Sequence, residues 1–174
     1  MTCDKNGDWN RIVTCEPECG RVTPISVKLI AGGNTAERGE LPWYVAIYKK
    51  PTQPGQDHKL ICGGSIVSTR VVISAGHCFW GTFGAQDASR FAVATAKLYR
   101  EWDHQDDRDV QKSNLLSINF TDHYLGATTN QQDDIAILTL ETPIKYYNYV
   151  RRVCLDFTPT FNELQLQEGA IGKV

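Results

Sequence analysis

The sequence has little net charge, no long apolar run and a single methionine; 18 basic against 20 acidic side chains leave −2 over 174 residues. A chain this close to neutrality has no general attraction for nucleic acid or an anionic bilayer, so neither is expected as a partner. Its longest apolar runs are a few residues, as at 71–73, against the roughly 20 that a membrane-spanning helix needs. The opening residues, MTCDKNGDWN, lack the basic start, apolar centre and small-residue cleavage site of a secretory signal.

The cysteines oppose the cytosolic reading those absences would suggest. Cys3, Cys15, Cys19, Cys62, Cys78 and Cys154 contain no CxxC pair and no zinc-finger spacing, which points to disulfides rather than metal thiolates. Asn119-Phe120-Thr121 is a glycosylation acceptor of use only in the secretory pathway. Disulfides without a leader imply a secreted, extracellular protein whose N-terminus lies upstream, so the chain is expected to be a fragment.

Residues 1–19 carry three cysteines and little apolar sequence, the composition of a small disulfide module, and the Gly-rich stretch 20–40 reads as linker. Beyond it, short strand-like runs fall at 43–48, 60–67, 71–74, 91–98, 114–120 and 135–140. Strands without intervening amphipathic helices predict an all-β antiparallel barrel or sandwich. Segment 99–113, YREWDHQDDRDVQKS, is too polar for a core and is expected as a surface loop.

Two features carry chemistry. His77 in VVISAGHC ends a β-branched run beside a cysteine, so a disulfide there would hold the imidazole rigidly enough for acid/base work. DDIAILTL, residues 133–140, opens an apolar strand with two carboxylates, and an aspartate at a strand mouth can be buried against an imidazole to hold its tautomer. A structural histidine and an ordinary strand-edge charge are the bland alternatives.

Taken with IAGGNTAERGELPWYVAIY and CGGSIVSTRVVISAGHC, these segments resemble the N-terminal half of a chymotrypsin-type serine protease domain over 30–174. The resemblance implies the first antiparallel β-barrel of a double barrel, the second truncated, with His77 as general base and Asp134 as its orienting acid. Gly76 stands where Ala is more usual, and Asp133 where Asn is frequent. No GDSGG nucleophile motif follows, and Ser65 in CGGSIV resembles a structural strand residue, so the chain alone is expected to be inactive.

The resemblance further implies disulfides Cys62–Cys78 and Cys19–Cys154, and activation by cleavage between Leu29 and Ile30 across linker 20–29. Glu101, Asp103, Asp106, Asp107 and Asp109 occupy the loop where some relatives bind calcium, although a solvated acidic loop and no cofactor is the main expectation. Residues 1–19 resemble the tail of a sushi (complement-control) module. That combination resembles the modular proteases initiating insect immune cascades towards Toll, implying pattern-recognition proteins upstream and a downstream protease zymogen as substrate. The alternative is a non-catalytic serine-protease homologue or recognition module using the same fold for binding.

Overall fold

In the computed structural model the described residues are 19–22, 38–126, 132–156 and 158–159. Cys3, Cys15, Leu29, Ile30, the sushi-like segment before Cys19 and residues 23–29 of the proposed linker therefore lie outside them. The strands are β1 (Tyr44–Lys49), β2 (Lys59–Ile66), β3 (Val71–Ser74), the short pair β4 (Trp80–Gly81) and β5 (Gly84–Ala85), β6 (Phe91–Thr95), β7 (Gln111–Phe120) and β8 (Ala136–Leu140). Six of them close an all-β antiparallel barrel in the order β1-β2-β3-β8-β7-β6. Closure leaves none of these six strands with an unpaired edge.

Alternation fills the barrel: Val45 and Ile47 of β1 join Ile66, Val72, Leu138 and Leu140 in one buried cluster. Ala46 and Tyr48, on the opposite face of β1, are buried as well, with Ala94. Their cover comes from Leu60, Trp102 and Val110, and Trp102 meets Tyr48 edge-on at 4.9 Å. Segment 99–113 is thus not simply a solvated loop: Gln111, Lys112 and Ser113 begin β7, and Trp102 helps to build a second core. Its polarity concealed this because one of its charges, Asp107, is cancelled by Lys97 just before the segment. Lys97 and Asp107 pair with side chains only 2% exposed, so mutual neutralisation permits their burial.

The CGG step in β2 answers a packing demand. A Cβ on Gly64 would stand 2.9 Å from the Ile73 carbonyl oxygen and 2.9 Å from Val72 Cγ1, which leaves no room for a methyl where β2 crosses β3. Disulfides Cys62–Cys78 and Cys19–Cys154 fasten β2 to the turn after β3 and residues 19–22 to the segment beyond Val150. The Gly20 N–H also donates to the Arg152 carbonyl at 3.0 Å.

Candidate active site

The β3–β8 ladder brings the candidate residues together. Ser74 is opposite Ala136 in this antiparallel pair, so the end of β3 and the start of β8 emerge at the same rim. His77 lies three residues beyond Ser74, in the 3₁₀ turn Gly76–Phe79, and Asp134 two residues before Ala136. Asp133 adopts φ +57°, a left-handed conformation that Asp and Asn tolerate better than most residues, and this turn delivers Asp134 to the rim. The Asp133 carbonyl accepts from the Thr121 hydroxyl at 3.0 Å, which braces the turn.

Asp134 receives His77 twice. The His77 backbone N–H donates to Oδ1 at 2.7 Å, and ring Nδ1 lies 2.7 Å from Oδ2. Burial pushes the Asp134 carboxyl up, but the hydrogen bonds from the His77 ring and backbone outweigh it and hold the group below the ordinary carboxylate range. An ionised acceptor at Oδ2 keeps the proton on Nδ1 and leaves the Nε2 lone pair free. The His77 side chain is 53% exposed, and the disulfide-bonded Cys78 Sγ, which has no proton to donate, lies 3.6 Å from Nε2.

The Cys62–Cys78 disulfide anchors this turn. The sulfurs of Cys62 and Cys78 and the His77 ring form a cluster with metal-like spacing, but sulfurs bonded to each other are not thiolate ligands. Ser65 is a ladder residue near the end of β2, opposite Ile73 and Tyr44. Asn119 is exposed on β7 across from Ile137, where a glycan would project from the barrel wall.

Asp103, Asp107 and Asp109 of the acidic loop each lie beside a cation of the chain. Asp107 pairs with Lys97 and accepts from the Leu98 N–H at 2.9 Å, Asp103 pairs with Lys112, and Asp109 lies 4.0 Å from Arg38. Glu101 and Asp106 supply backbone carbonyls to Lys97 and Arg38. Tyr124, beside Asp134, was not singled out from the sequence. It is one aromatic in a polar segment, and the single hint is Gly76 where Ala is more usual.

Residues 30–170 match the family profile described as Trypsin. The chain is 32% identical to the modular serine protease of Drosophila melanogaster over 99% of its length, covering 28% of that protein. It is 34% identical to clotting factor C of Tachypleus tridentatus, again over 99% of this chain and 17% of that one. The inactive serine protease PAMR1 of Bos taurus is 28% identical over 95% of the chain and 24% of its own length. The chain thus spans less than a third of each of these relatives. With the closed barrel and the His77–Asp134 pair at its rim, these matches establish that the chain belongs to the trypsin family of chymotrypsin-type serine proteases.

Proposed function

We propose that this chain is part of a secreted serine endopeptidase zymogen acting in a proteolytic cascade, with His77 as general base and Asp134 as its orienting acid. The observation that carries the reading is the doubly held carboxylate, 2.7 Å from both the backbone and ring nitrogens of His77, on a side chain that is half exposed. In such an arrangement Nε2 takes the proton of a serine hydroxyl as it attacks the scissile carbonyl and returns it to the leaving amine. Asp134 meanwhile stabilises the imidazolium without itself becoming protonated. The serine and the oxyanion-stabilising amides must come from sequence other than the motifs found here, which is why the chain alone is expected to be inactive.

The finer reading is an initiator of innate immunity in the Toll-activating manner. A sushi-like module would occupy residues 1–19, pattern-recognition proteins would act upstream, and a downstream protease zymogen would be the substrate. It rests on the sequence resemblance and on relatives named modular serine protease and clotting factor C. The disulfides suit an oxidising compartment, and Asn119 is exposed for a glycan. The mechanism requires no cofactor, and calcium in the 101–109 loop is not part of it. Activation would expose Ile30 by cleavage after Leu29, with an activator that prefers a large apolar residue there.

The test is N-terminal sequencing and peptide hydrolysis by the activated full-length protein. A new terminus at Ile30 with turnover abolished by His77→Ala supports the reading, whereas a terminus at Leu29 removes the cleavage assignment. Relatives named inactive serine protease favour a second reading, a non-catalytic homologue. Full-length protein that binds partners yet hydrolyses nothing after cleavage would establish that one.

A further inference from the structure

Tyr124 is enclosed at 2% exposure, and its hydroxyl is buried with no partner at hydrogen-bonding geometry. A buried donor left unsatisfied is costly, so the acceptor it faces matters. Asp134 is the charged group acting on this phenol; burial, then the Asp134 charge, raises the Tyr124 pKa. The space between them is legible at Gly76. A Cβ there would lie 2.8 and 3.0 Å from Tyr124 Cε1 and Cζ, and 3.1 Å from Asp134 Oδ1. The hydroxyl-bearing end of the ring and the catalytic-site carboxylate therefore flank one missing methyl.

The ring is clamped from its other side. Trp80 of β4 meets Tyr124 edge-on at 5.2 Å and Phe120 at 5.2 Å, and Phe120 and Tyr124 stack at 5.8 Å. Trp80 is itself seated over Gly126, whose φ is +68° and whose Cβ would come within 2.4 Å of the indole, so no larger residue fits. Packing thus leaves the phenol little freedom to turn away from Asp134.

We infer that Tyr124 is a positioning residue for the proposed protease site, its hydroxyl donating to the Asp134 carboxylate as a further hold beside His77, through the gap that Gly76 leaves open. The inference rests on the catalytic reading of His77 and Asp134 for its effect on rate, but not for the contact itself. Tyr124 touches no substrate in this role. It keeps Asp134 from rotating out of line with ring Nδ1.

Tyr124→Phe keeps the ring and removes the donor, and two measurements read the result. In this chain, ¹³C NMR follows the titration of the Asp134 carboxyl, whose midpoint is expected to rise because one of its stabilising hydrogen bonds is lost. In the activated full-length protein, kcat is expected to fall roughly tenfold with KM and melting temperature unchanged, the scale of one hydrogen bond to a charged group. Tyr124→Leu, which also loosens the clamp, is expected to lower kcat further. An unmoved Asp134 midpoint overturns the inference, as does a wild-type kcat in Tyr124→Phe. If the wild-type full-length protein hydrolyses nothing, the protease reading fails on its own, and the carboxyl titration in the present chain still decides the contact.

Discussion

Replacing Asp107 by Asn tests whether the buried ion pair closes the 97–107 loop over the outer face of β1. In the wild type, Asp107 and Lys97 bury each other, and the carboxylate also accepts from the Leu98 N–H at 2.9 Å. Asn keeps an oxygen for that N–H but leaves the Lys97 ammonium buried without a counter-charge. Breaking one partner of such a pair costs about 3–5 kcal/mol. Lys97 retains the carbonyls of Glu101 and Trp102 as acceptors, so the lower end, about 3 kcal/mol, is expected. In urea unfolding followed by tryptophan fluorescence, that loss appears as an earlier midpoint at unchanged slope; thermally it corresponds to a drop of roughly 10 °C.

Two controls make the reasoning vulnerable. Lys97→Met with Asp107→Asn removes both charges while keeping an oxygen for the Leu98 N–H, and is expected to be more stable than Asp107→Asn alone, since no buried ammonium is then left without a counter-charge. Acid supplies the other. Burial raises the Asp107 carboxyl, but the hydrogen bonds from Lys97 and the Leu98 N–H outweigh it and leave it below its ordinary value. Its stabilising contribution is therefore complete above the unfolded pKa of about 3.9 and is lost as pH falls through the lower folded value. The stability gap between wild type and Asp107→Asn should close below about pH 4. Wild-type stability in Asp107→Asn, or a double variant as weak as the single one, would refute the account.

Gly64→Ala places a methyl against the Ile73 carbonyl and Val72; calorimetry should show a loss of about 1–3 kcal/mol, and an unchanged melting temperature would mean that β2 can shift to accept it. Removing the Cys62–Cys78 bridge, with a sequence separation of 16, by paired alanines should destabilise the chain by about 3 kcal/mol in chemical denaturation. A much smaller loss would show that the histidine turn is held by packing instead. Asp134→Asn in the activated full-length protein should lower kcat by about 10⁴, because the amide no longer holds the Nδ1–H tautomer. A decrease below tenfold would mean that another group orients His77.

The sequence by itself determined what is local and repetitive. Short apolar runs bounded by polar or Gly/Pro segments mark the six barrel strands, so 71–74 matches β3 in full and the other five differ by a few residues at their ends, whereas the short pair β4 and β5 was not expected. The pairing of His77 with Asp134 was legible too, because a histidine held beside Cys78 and an aspartate opening an apolar strand are each contiguous signals. What the tertiary structure alone decided depends on residues far apart in the chain. Ladder register brings Asp134 to 2.7 Å from the His77 ring across a separation of 57 residues, and no single segment encodes that distance. Tyr124 was hidden because its role follows from space left at Gly76 and closed by Trp80 and Gly126. Segment 99–110 is the surface loop expected between two strands, but its fastening was not legible, because Lys97 and Asp107 look solvated in a list of residues, whereas burial depends on the partner each charge finds when the barrel closes.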